Sequence, residues 1–178
     1  VLAEMAQPVT IMTKSAHVLD DGELLQHIHQ RAFALVIITI ITHVNDVHAR
    51  LEDRCDTTQV RLDTIRQLKK MGIPVGVALQ PLIPYLNDTD YALKHLCAQI
   101  AASGADFVYW DYLTMPNQRH RTRINETMIR VSTNPPAWLA WPLPLPKSTK
   151  PSSCELGFEW GVWQCPTFTW RMPHYHRR

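Results

Sequence analysis

FALVIITIIT, residues 33–42, is an almost unbroken β-branched and apolar run. β-Branched side chains are stiff and fit a pleated surface. A run without polar alternation marks a strand buried on both faces, as in a parallel sheet. Parallel neighbours need crossover connections, so helices should flank it. Upstream, VTIMT (9–13) reads as a second strand, and DDGELLQHIHQRA (20–32) as a helix with Asp20 or Asp21 as N-cap. Downstream, DTTQVRLDTIRQLKKMG (56–72) reads as a helix capped by Asp56 or Thr57, with Lys69 and Lys70 in its last turn and Gly72 stopping it. IPVGVALQP (73–81) returns as a strand that the prolines of LQPLIPYLND (79–88) should stop. TDYALKHLCAQIAASG (89–104) aligns Leu93, Leu96, Cys97, Ile100 and Ala101 on one helical stripe, and ADFVYWDYL (105–113) is a fourth strand.

Alternation of this kind predicts an α/β fold: about four parallel strands with flanking helices, a partial (βα) barrel. At 178 residues the chain is short for a complete barrel, which typically takes about 250. Ligands of such folds sit at the carboxyl ends of the strands. Lys14, Thr39, Thr42, Gln80 and Asp111 fall near those ends, and the rigid loop after the third strand should leave backbone groups near Ala78 free to face a ligand. The domain is expected over residues 1–133. From 134 to 178 the text changes to proline-dense NPPAWLAWPLPLPKSTKPSS and an aromatic segment without a fixed face. This predicts an irregular or disordered Pro/Trp-rich tail, such as a shifted reading frame would produce. VLAEMAQ at the start has neither an initiating Met nor a signal-peptide layout, as expected of a chain that begins inside a domain.

A formal net charge of +2 gives no electrostatic footprint for nucleic acid, and no run of 18 apolar residues indicates a membrane span. Cys55, Cys97, Cys154 and Cys165 form no C-x-x-C pair, which suits ordinary thiols in a cytoplasmic protein rather than a disulfide scaffold or a zinc site. His27 and His29 point to different faces of one helix, and His43 and His48 lack an acidic partner at ligand spacing, so no histidine metal site is expected. Lys14 has three readings. It is a strand-end lysine with its head in water, a Schiff-base lysine of an aldolase-like barrel, or an ammonium that pairs with a ligand carboxylate or phosphate. Spacing does not choose between the last two.

The stretches TKSAHVLDDGELL, ITIITHVNDVHARLEDRCDTTQVRLDTIRQLKKMGIPVGVALQPLIPYLND and GADFVYWDYLTMPNQRHR, taken in order, resemble the later part of the radical S-adenosylmethionine domain. The branch they resemble most is the spore photoproduct lyase-like one. That pattern has T-K-S, S-I-T-T, L-E-P-R, an R-L helix start, G-I-P-V and P-I-I-P-G-L-N-D. The likeness runs from about Pro8 to Arg121. It implies that Lys14 holds the methionyl carboxylate of S-adenosylmethionine and that Thr39, where the family has Ser, offers a hydroxyl. Ala78 would line the adenine edge, with Ser15 and Thr42 as weaker contacts. It also implies a 4Fe–4S cluster on a C-x-x-x-C-x-x-C loop, which this sequence lacks, and a DNA photolesion as a substrate of the intact parent. The rivals are an inactive truncated or mistranslated product and the Schiff-base barrel.

Overall fold

The computed structural model describes residues 1–83, 86–114, 118–131 and 163–164. Four parallel strands, β1 (Val9–Thr13), β2 (Ala34–Thr39), β3 (Val75–Leu82) and β4 (Phe107–Tyr112), lie side by side in chain order. The helices are α1 (Gly22–Arg31), α2 (Asn45–Leu51), α3 (Thr58–Lys70), α4 (Asp90–Ala102) and α5 (Gln118–Val131), with a 3₁₀ turn over Ala16–Asp21 before α1. Strands added in one direction by right-handed crossovers put the connecting helices on one side of the sheet. The packing agrees: Leu25 and Ile28 of α1, Leu62, Ile65 and Leu68 of α3, and Leu96 and Ile100 of α4 share one cluster with Val36, Ile38, Val75 and Val77. Each such side chain, fully buried, contributes about 1.5–3 kcal/mol. This is the wall of a barrel seen from outside, as the alternation of the sequence predicts.

The expected strands and main helices all form, with local differences. Thr57 caps α3, its hydroxyl accepting the Val60 N–H. The helix ends in a Schellman turn: Gly72 at φ +77° donates to the Lys69 carbonyl, and Ile73 to that of Leu68. Asp21 does stand at the N-cap of α1, but its side chain caps nothing, because the 3₁₀ turn already leads the chain into the helix. Pro81 does not stop β3, which runs on to Leu82 with a register irregularity between Leu79 and Leu82. The α4 stripe is narrower than expected, since Cys97 and Ala101 are exposed and only Leu96 and Ile100 are fully buried. The tail expectation lies outside the described residues except at β5 (Trp163–Gln164), whose backbone pairs antiparallel with Phe107 and Val108 of β4.

Alternation along the strands then fixes what the opposite face carries. Val9 and Ile11 lean on the helix-side cluster, so Thr10, Met12 and Lys14 turn the other way, and Met12 is 56% exposed. Ile38 and Ile40 belong to the helix side, which turns Thr39 to the same opposite face, where it is buried. Gly76 and Ala78 follow on β3, where the Phe107 ring crosses Gly76 so closely that a Cβ there would collide with it. A second, smaller cluster joins Ile83 and Met128 with Leu51, Leu86, Leu113 and Ile124. It packs α5 onto the end of α2 and the segments that follow β3 and β4, and so builds up the carboxyl end of the sheet.

Candidate functional site

The register sets Thr39 opposite Ala78 and Ala78 opposite Tyr109, and Thr13 opposite Ile38. Lys14 follows the last residue of β1 and so stands at the β1 end of the row of Thr39, Ala78 and Tyr109, at the carboxyl end of the sheet. The sequence-predicted residues Lys14, Thr39 and Ala78 are brought together by sheet register alone.

The Lys14 amine is not in bulk water. Its Nζ lies 2.5 Å from Oε1 of Glu52, with the lysine side chain 41% exposed and the glutamate 5%. The other glutamate oxygen is 2.8 Å from the Arg61 guanidinium, whose side chain is 1% exposed. Arg61 uses the rest of its fork on backbone, donating from Nη1 to the Thr39 carbonyl at 2.7 Å and from Nε to the Asp56 carbonyl at 2.8 Å. His48 closes the group, its Nε2 being 3.2 Å from Arg61 Nη2, 3.0 Å from the Asp56 carbonyl and 3.7 Å from Glu52. A buried ion pair is favourable only when its remaining polar atoms are met. Arg61 meets that condition, because its planar fork serves three acceptors at once. Both Glu52 oxygens are in ion-pair contact, yet neither accepts a well-aligned hydrogen bond.

The chain builds this group from short pieces. Glu52 is the residue at which α2 ends, its N–H donating to the His48 carbonyl. Arg61 lies in α3 at the i, i+4, i+7 spacing with the buried Ile65 and Leu68, so the helix's apolar stripe carries it inward. The Asp56 carboxylate accepts the Ala16 N–H at 2.5 Å, tying the turn after β1 to the start of α3. Thr58 donates to the Thr42 carbonyl at 2.6 Å and ties the end of β2 to the same helix.

Burial pushes the Glu52 carboxyl up, but the adjacent Lys14 and Arg61 outweigh it and hold the group below the ordinary carboxylate range. A carboxyl depressed on folding adds stability above its unfolded value, near 4.5, and the contribution is lost as pH falls through the lower folded value. The unfolding free energy is therefore expected to drop between neutral pH and acid below about 4.5. In Glu52→Gln that part of the drop disappears, as urea titrations at a series of pH values will show.

Other expected site residues are placed differently. The Ala78 carbonyl accepts the Ile40 N–H at 3.0 Å and the residue is fully buried, so that oxygen is part of the ladder rather than free backbone. Its methyl is buried with the rest of the residue, so Ala78 presents no exposed atom to a ligand. Ser15 caps the 3₁₀ turn, its Oγ accepting the His17 N–H, and Thr42 Oγ1 accepts the Val44 N–H, so both hydroxyls shape loops. Gln80 and Asp111 line a shallow hollow of about 250 Å³ with Pro81, Tyr112, Leu113 and Thr114, at the carboxyl ends of β3 and β4. Asn87 is buried beside this rim. It donates to the Ile41 and Pro81 carbonyls at 2.8 and 3.2 Å and accepts the Ile83 N–H at 2.6 Å, clamping the ends of β2 and β3 together.

Sequence reasoning missed Glu52, Arg61, His48 and Asn87. A signal existed for Arg61, a charged residue on an otherwise apolar helical stripe. His48 does have an acidic neighbour, Glu52 at i+4. Among the described residues no group of three His, Cys, Asp or Glu is arranged to hold a metal. Cys55 is half-buried before α3 and Cys97 exposed on α4. A cluster needs thiolates in close register, so these residues do not fit the 4Fe–4S group that the sequence resemblance implies.

Among the described residues, no helix is long and apolar enough to cross a membrane. No protein-family profile matches the chain. It is similar to curated proteins of Mycobacterium bovis and Mycobacterium tuberculosis, both described as uncharacterized, at 30% identity over 104 residues. The aligned part is 58% of this chain, and the chain spans 31% of the length of those relatives.

Proposed function

We propose that this α/β unit binds S-adenosylmethionine at the carboxyl end of its strands, as part of a radical S-adenosylmethionine enzyme of the spore photoproduct lyase-like kind. One observation carries the reading: the Lys14 ammonium is held at the rim, in the row of Thr39 and Ala78, by a carboxylate it shares with buried Arg61. In this reading the ligand's carboxylate takes the exposed side of Lys14, with the buried Thr39 and Ala78 beneath it. Iron–sulfur chemistry and a DNA photolesion substrate belong to the intact parent and rest on the sequence resemblance. The residues described here contribute binding and orientation.

The Schiff-base reading of Lys14 has no support from the geometry, because a nucleophilic lysine needs an amine free to attack and this one is in the grip of Glu52. Isothermal titration of the 178-residue chain with S-adenosylmethionine tests the proposal. Lys14→Ala is expected to weaken binding by about tenfold or more, the equivalent of about 1.4 kcal/mol. Equal affinity in the two proteins would remove Lys14 from the site. Absence of binding to the wild-type chain would favour the inactive-product reading.

A further inference from the structure

Away from the Lys14 rim, the fold brings together two histidines that no spacing in the sequence joins. His43 follows β2 and His95 lies in α4, and their ring centres are 4.7 Å apart with a tilt of 52°. His43 Nδ1 is buried and finds no hydrogen-bond partner among the described residues. A buried nitrogen left without a partner is costly, and a bound metal ion removes that cost. Burial, and then the neighbouring His95, hold the His43 pKa below the ordinary histidine range, so the ring is neutral at pH 7. A neutral imidazole keeps one lone pair for a metal, with no proton to displace.

Both rings are held by their surroundings. The Thr42 carbonyl accepts from the Thr58 hydroxyl and Thr42 Oγ1 accepts the Val44 N–H, which fixes the backbone on either side of His43. His95 is exposed on a helix capped by Thr89, and Tyr91, one turn earlier, stacks with its ring at 6.1 Å and 13°. The Gln99 amide, one turn later, lies 3.4 Å from His95 Nε2. Turned so that its oxygen accepts the Nε2–H, this amide leaves Nδ1 of His95 as the ligating nitrogen. Metal-binding histidines are commonly fixed by an outer partner in this way.

A metal about 2.0–2.1 Å from a ring nitrogen stands about 3.2 Å from the ring centre. Ring centres 4.7 Å apart then correspond to two nitrogens at nearly a right angle around one ion. That is the cis angle of a square-planar or octahedral ion, narrower than the tetrahedral angle of structural zinc. Imidazole pairs favour late first-row ions over Mg(II) and Ca(II), which take oxygen ligands.

We propose that His43 and His95 form a two-histidine site for a late divalent transition metal of the Ni(II) or Cu(II) class, which pins the carboxyl end of β2 to α4. No third His, Cys, Asp or Glu among the described residues joins the pair, so water completes the coordination. Neither histidine belongs to the Lys14 rim, and the site stands or falls apart from S-adenosylmethionine binding.

The test is thermal unfolding of the 178-residue chain with Ni(II) or Mg(II) added, for wild type, His95→Ala and His43→Ala. An ion that bridges two distant elements binds the folded state alone. Ni(II) at a hundredfold excess over its Kd should therefore raise the wild-type Tm by about 5 °C or more, and Mg(II) should not. His95 is exposed, so His95→Ala keeps the fold, leaves every other histidine and cysteine in place, and should lose most of the shift. His43→Ala should lose it too. In calorimetric titration with Ni(II), Gln99→Ala keeps both ligands and should bind about tenfold more weakly. No shift in wild type, an equal shift in either histidine variant, or an equal shift with Mg(II) would overturn the site. Unchanged Ni(II) affinity in Gln99→Ala would overturn the role given to its amide.

Discussion

Arg61→Ala is expected to lower the unfolding free energy by about 3–5 kcal/mol, because it leaves Glu52 as a buried charge with a single partner. The same change strands the Thr39 and Asp56 carbonyls that the guanidinium now serves. A domain with total stability in the usual range of about 5–15 kcal/mol would be close to unfolding. Urea denaturation followed by circular dichroism measures the loss. The double variant Arg61→Leu with Glu52→Gln should recover a large part of it, since no uncompensated charge remains. A loss under about 1 kcal/mol in the single variant would mean that the network is solvated and does not hold Lys14 in place.

Asn87→Ala has the next largest effect. One side chain satisfies the Ile83 N–H and the Ile41 and Pro81 carbonyls from a site that is 3% exposed. Unmet buried groups cost about 1–3 kcal/mol each, and neighbours do not add fully, so about 2–4 kcal/mol is expected in the same urea experiment. Asn87→Asp keeps the acceptor and loses the donors. It should fall between wild type and Asn87→Ala at acid pH, where the protonated acid donates, and drop further at neutral pH as the buried carboxylate faces two carbonyls.

The fold was legible because its signals are local. The run from Val36 to Thr42 has only two polar positions, Thr39 and Thr42, and both are buried, while the Thr57 cap and Gly72 stop bracket α3 within the expected limits. The row of Lys14, Thr39 and Ala78 was legible for a related reason: strand ends lie at the rim of any parallel sheet, and register does the rest. The partners of Lys14 were not legible. Glu52 sits at the end of a short helix in a segment with no clear period, and its meeting with Lys14 depends on how the β2–α3 connection folds back. Arg61 reads as an ordinary surface cation unless its phase against Ile65 and Leu68 is counted. The expected free backbone near Ala78 is not found, because the Ala78 carbonyl pairs with the Ile40 N–H. The strand in fact passes through Pro81, so the backbone at Ala78 stays inside the sheet.

The central claim, that the Lys14 ammonium holds the ligand's carboxylate, is tested most directly by a cycle in which that carboxylate is also removed. S-adenosylmethionine and its decarboxylated analogue are each titrated into wild type and Lys14→Ala. The account predicts that the analogue binds both proteins alike, while S-adenosylmethionine loses about tenfold or more in Lys14→Ala. Equal losses for the two ligands would contradict it, since the lysine would then act on some part of the ligand other than the carboxylate.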